Sequence, residues 1–168
     1  AAEKQFSKTP SDALIKNAEG SWRQMHKTLS NLEGQQQLES LWIKGLRLAF
    51  KARANKQIVL PLFEWAQELA IQNRENQKQF MLYGLGLIRD ALMVNYQAAD
   101  LHRFNSFTGF DLNKFAPYIH GDNVFDLQAL LEEAHYILGR NANAKILFTH
   151  FALELSRLLN RKESSLLE

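Results

Sequence analysis

The chain has 168 residues, 46% of them hydrophobic, and its twenty basic and eighteen acidic side chains leave a net charge of +2. That is enough chain for one compact core, or a core with a small appendage, and too little charge to point to nucleic acid by itself. The absence of cysteine excludes disulfides and thiolate metal sites, and is compatible with a reducing compartment.

Three prolines and eight glycines leave room for long helices. No segment alternates apolar and polar residues convincingly over strand lengths, so the whole chain reads as helical. Thr9-Pro10-Ser11-Asp12 starts a short helix over residues 12–19 that ends at Gly20, with proline early where its missing N–H does little harm. Ser21 can cap a second helix reaching about Asn31, and Gly34 marks its end. The next helix spans residues 35–54, with Leu38, Leu41, Trp42, Leu46, Ala49 and Ala52 on one broad face. Lys44, Arg47 and Lys51 recur on the opposite face, either as a solvated basic surface or as a contact for phosphate or an acidic partner. After Asn55-Lys56, a helix over 58–72 carries Leu62, Trp65 and Leu69, with Pro61 confined to its start.

Asn73 is a natural cap for the helix around which the chain is organised, residues 74–97. Phe80, Met81, Tyr83, Leu85, Leu87, Ile88, Ala91, Leu92, Val94 and Tyr96 cover well over half its circumference. Lys78, Gln79, Arg89, Asp90 and Gln97 share the narrow polar strip that remains. A helix apolar over so wide an arc belongs at the centre of a bundle. Gly84 lies inside that arc, where it costs roughly 1 kcal/mol relative to alanine, and close approach of a neighbouring helix is the expected compensation. Asn95, on the apolar side, is expected to act as a structural tether, because a buried amide must find partners.

Periodicity fails over residues 98–113, a long surface loop pinned by Phe104, Phe107 and Phe110. A short helical turn over 112–118 follows, and His120-Gly121-Asp122-Asn123 breaks the chain and caps a helix running to about Gly139. The last helix begins within Asn141–Asn143 and ends near Arg161, with a core stripe of Leu147, Phe148, Phe151, Leu155, Leu158 and Leu159.

Chemistry is mostly excluded. There is no GxxxxGK[ST] phosphate loop, no GxSxG and no HExxH. Gly84-Leu85-Gly86 lacks the third glycine of a dinucleotide fingerprint, since Arg89 holds that position. Glu132-x-x-His135 has the spacing of a di-iron ligand pair, but no second copy exists. His120 beside Asp122 reads either as an acid–base pair or, better, as a hydrogen-bonded turn. The tryptophans stand among apolar neighbours and read as core. No cofactor, metal or catalytic residue is therefore expected. No apolar run nears the roughly 18 residues that span a bilayer, and no signal-peptide core is seen. The two ends read as those of a fragment.

Trp42-Ile43-Lys44-Gly45-Leu46-Arg47-Leu48-Ala49-Phe50, Arg74-Glu75-Asn76-Gln77-Lys78-Gln79-Phe80 and Arg89-Asp90-Ala91-Leu92-Met93-Val94-Asn95-Tyr96 together resemble the delta-prime subunit of the bacterial DNA polymerase III clamp loader, in versions from the Bacteroidetes group. Lys114-Phe115-Ala116-Pro117-Tyr118-Ile119-His120-Gly121 and Arg140-Asn141-Ala142-Asn143-Ala144-Lys145-Ile146-Leu147 continue the likeness, which covers most of the chain from about residue 35. None of these is a catalytic signature, and the specificity lies in their order and joint presence. The resemblance implies an all-α helical bundle of the collar type over residues 34–168, preceded by the end of a small helical lid domain over 1–33. It also implies a cytoplasmic, non-catalytic role in DNA replication. The partners would be gamma/tau-like ATPase and delta-like subunits, with DNA and the sliding clamp reached only through the full-length assembly and no membrane contact. Ala18-Glu19-Gly20-Ser21-Trp22-Arg23 is similar to the lid's Gly-Ser turn, which puts Arg23 at the position of a nucleotide-sensing arginine. Met25 departs from the small residue often found there, and delta-prime subunits are commonly not the ATP-hydrolysing members, so Arg23 is given no nucleotide role. A helical nucleic-acid-binding module using Lys44, Arg47 and Lys51 with Arg53 and Lys56 is the alternative.

A collar must offer apolar contacts to its neighbours. On the last helix Ile146 and Leu153 fall nearly opposite the core stripe, two turns apart, with His150 and Arg157 beside them. Either they are ordinary exposed aliphatics or they form a subunit interface.

Overall fold

The computed structural model describes residues 22–98, 100 and 104–164, with side chains from residue 31 onward. The predicted helix start at Thr9, the short helix over 12–19, the Ser21 cap, and the side chains of Trp22, Arg23, Met25, His26 and His102 lie outside the described residues. Six α-helices and no strand occur among the described residues, so the fold is all-α. They are α1 (Trp22–Ala52), α2 (Val59–Ala70), α3 (Arg74–Asn95), α4 (Leu112–Phe115), α5 (Val124–Leu138) and α6 (Ala144–Leu159). The chain divides into two compact units, Ala1–Gln37 and Leu38–Glu168. The described part of the first is helical, and the second is a bundle.

Gly34 does not end a helix, as its sequence context predicts; α1 runs through it. Nothing lies within 4 Å of a Cβ built there, so the position is only a propensity cost, and one internal glycine among glutamines and leucine is tolerated. The other predicted elements agree to within a few residues. Lys56–Ile58 forms a 3-10 turn before α2, which places Pro61 in the first turn of that helix. Asn73 caps α3 by accepting from the Asn76 amide at 2.8 Å. Asn143 caps α6 by accepting from Lys145 and Ile146 at 3.0 and 3.3 Å.

Within the bundle α3 packs on α5, α2 on α6, and α5 on α6. The core is aromatic. The Trp42 ring stacks on Phe80 at 4.4 Å and meets the edge of Phe151 at 6.1 Å, and Trp65 and Phe148 complete the cluster. Two glycines make this packing possible. A Cβ on Gly84 would stand 2.1 Å from the Trp42 ring, and one on Gly45 would stand 2.1 Å from the Trp65 ring. In both cases the indole lies flat on the helix and donates to the carbonyl four residues earlier: Trp42 to Phe80 at 2.7 Å, Trp65 to Leu41 at 2.9 Å. The close approach expected at Gly84 is thus a tryptophan ring rather than a second backbone.

Burial on α3 does not follow side-chain polarity: Leu82 is exposed, and Leu85, Leu92 and Val94 are half-buried. Gln77 and Asp90 are buried although polar, and Asp90 leaves the polar strip predicted for it. Gln77 Nε2 donates to the carbonyls of Leu69, Ala70 and Gln72, satisfying the C-terminal end of α2. Asn95 is exposed rather than buried, but its Nδ2 still donates to the Ile119 carbonyl at 2.9 Å, the tether anticipated for it. Tyr96 is exposed, because α3 ends at Asn95.

Candidate interaction surfaces

The outer face of α6 begins with what the core takes. Phe148, Phe151, Ala152, Leu155, Leu158 and Leu159 are buried, which turns the opposite side to solvent. There Ile146 is 70% and Leu153 45% exposed, and His150 and Arg157 are exposed beside them. Arg157 donates through Nε and Nη2 to Glu154 Oε2 at 2.9 and 2.7 Å. That hydrogen-bonded pair holds the Glu154 carboxyl below its ordinary range.

The neighbouring helix α2 runs antiparallel to α6. Arg74 donates to the Ala142 carbonyl at 3.0 Å just beyond the α2 C-terminus, and Gln67 donates to Thr149 at 3.5 Å in the middle. At the other end Val59, Leu62, Leu153 and Ser156 line a cavity of about 390 Å³ with Arg53 and Arg157 at its edge. The solvent side of this pair carries four aliphatics: Leu60 at 65%, Ile71 at 77%, and the two on α6. By the antiparallel register Ile71 stands level with Ile146.

The basic stripe of α1 is not one surface. Lys44 forms an ion pair with Glu68 of α2. Arg47 lies at a second cleft, between α1 and the segment 108–118. Lys51 is exposed. Arg53 donates to the Asn160 carbonyl at 2.7 Å, and Lys56 is exposed.

Sequence reasoning missed Glu39. It is 1% exposed on α1, and its carboxylate accepts from Ser106 Oγ, from the Phe107 amide at 2.7 Å and from Thr108 Oγ1 at 2.8 Å. Burial pushes this carboxyl up, and the hydrogen bonds from Ser106, Phe107 and Thr108 together outweigh it, so its pKa lies below the usual glutamate value. Burial, and then the Glu39 charge nearby, push the Tyr83 hydroxyl well above its ordinary range. Glu39 thereby fixes the loop for which only Phe104, Phe107 and Phe110 are predicted as pins. Phe104 and Phe110 do pack against the core.

The His120–Asn123 turn is bound to the end of α6. Asn123 is fully buried and caps no helix with its side chain. The carbonyls of Tyr118 and Leu158 and the His120 amide occupy that side chain at 2.8, 3.2 and 3.0 Å. His120 is buried with Nε2 3.1 Å from the Arg161 carbonyl, and the Asp122 carboxylate accepts from the Ser164 amide. Gly84 and Gly86 lie in mid-helix. Glu132 is exposed and accepts from Gln128 Nε2 at 2.8 Å, and among the described residues no three His, Asp or Glu side chains cluster as metal ligands. No described helix is long and apolar enough to cross a membrane.

No protein-family model, curated protein or solved structure gives a significant match to the chain.

Proposed function

We propose that this chain is an assembly domain without catalytic activity of its own: the collar-type bundle of a DNA polymerase III clamp-loader subunit resembling delta-prime. It acts in the cytoplasm by joining gamma/tau-like ATPase and delta-like subunits during sliding-clamp loading. The observation that carries this reading is the outer side of the α2–α6 pair, where Leu60, Ile71, Ile146 and Leu153 are exposed around a core that is already closed. A second layer of exposed aliphatics on a packed helix pair suits a permanent contact with a neighbour. The sequence likeness from about residue 35 onward supplies the identity of that neighbour.

The alternative, a nucleic-acid-binding module, draws on the exposure of Arg47 and Lys51. It loses two of its five cations to Glu68 and the Asn160 carbonyl. Mixing the chain with gamma/tau-like and delta-like subunits and measuring mass by light scattering tests the two together. The collar reading expects a complex whose mass is insensitive to moderate salt. Binding to DNA alone, falling steeply with salt, would establish the alternative instead.

A further inference from the structure

The cleft at Arg47 shares no lining residue with the α2–α6 cavity, and the collar reading makes no use of it. Its volume is about 340 Å³, and its lining is largely apolar and aromatic. Leu46 and Phe115 are buried, Phe50 packs on Tyr118 with centroids 4.4 Å apart, and Phe110 lies 5.8 Å from Phe115.

One wall is fixed in advance. The buried Glu39 carboxylate holds Ser106, Phe107 and Thr108, and Ser106 Oγ accepts from the Phe110 amide at 2.6 Å. A wall already ordered lowers the entropy lost when something binds. Arg47 and Lys114 line the cleft with a single carboxylate, Asp111, so cations outnumber acids there. Among the described residues Arg47 has no carboxylate within ion-pair distance, while Lys114, 86% exposed, reaches only Asp111 at 3.7 Å. Lys51 stands exposed one turn beyond Arg47.

We propose that this cleft docks a short acidic segment of a partner protein, an aromatic side chain entering between α1 and the 108–118 segment while flanking carboxylates meet Arg47, Lys51 and Lys114. The cations are spread over a helical turn of α1 and the facing wall, which suits carboxylates spaced along a peptide rather than a single small acid. Guanidinium paired with carboxylate at the edge of an apolar recess is a recurrent recognition chemistry.

The test is fluorescence anisotropy with a labelled probe, acetyl-Asp-Glu-Asp-Phe-Glu-Asp-Glu-amide. Two comparison peptides have lysine at every acidic position or alanine in place of the phenylalanine. The acidic aromatic probe is expected to bind at least about tenfold more tightly than either. Arg47→Gln should weaken it by a similar factor, and Lys145→Gln on α6 should leave it unchanged. Circular dichroism checks that both variants are folded. Failure of the probe to bind, equal binding of the three peptides, or undiminished binding to Arg47→Gln would overturn the proposal. So would displacement of the probe by phenylpropionate as effective as by unlabelled peptide, or tighter binding of a DNA oligonucleotide than of the probe.

Discussion

At the scale of single residues, the fold depends on what is missing from two of them. Gly84 and Gly45 leave the space that an indole fills, and the indole then donates to the carbonyl one turn back. Gly84→Ala should therefore overpack the Trp42 ring, costing about 1–3 kcal/mol, and Gly84→Leu at least as much. Urea unfolding measures this, and a variant as stable as the parent would show that the contact is loose. Glu39 makes the opposite kind of contribution. Its carboxyl titrates below its ordinary value of 4.5 in the folded chain. The stability it supplies is thus present above that value and is lost as pH falls below it through the folded pKa. Unfolding midpoints measured downward from pH 6 should fall for the parent, and Glu39→Gln should remove Glu39's share of that fall. At neutral pH Glu39→Ala strands three donors and should cost about 1–3 kcal/mol.

At the scale of elements, caps and periodicity were the most legible features. Asn73 and Asn143 stand where an apolar-periodic run begins, and both accept from the first turn of their helices. Asn143→Ala should cost about 1 kcal/mol, read as a lowered urea midpoint. The failures have physical causes. Gly34 looks like punctuation because a helix-ending glycine and a tolerated internal one share the same letter. Only the surroundings, empty at that position, distinguish them. Asp90 follows the polar strip in sequence but not in space, because burial depends on neighbours from other helices. Glu39 carried no local signal, since its partners lie 67–69 residues away. Asn123 was legible as part of a turn, with Tyr118 and His120 close by, but its bond to Leu158, 35 residues away, was not. Of the surfaces, the exposure of Ile146 and Leu153 was readable from helical phase alone. The scattering of Lys44, Arg47 and Lys51 was not: phase places them on one face of α1 but does not reveal Glu68 or the 108–118 segment.

At the scale of the whole molecule, a closed aromatic core with aliphatics left over on its outer side suits a part that assembles with others. The chain has no phosphate loop, so equilibrium dialysis with ATP and magnesium should show no saturable binding at micromolar concentrations. Such binding would count against the collar reading. The most direct measurement is assembly of a reconstituted clamp loader carrying Ile146→Glu and Leu153→Glu together, with circular dichroism of the isolated chain checking its fold. Both side chains are exposed, so the fold should survive while carboxylates on the apolar face prevent the subunits from joining. A folded double variant that assembles normally would contradict the account.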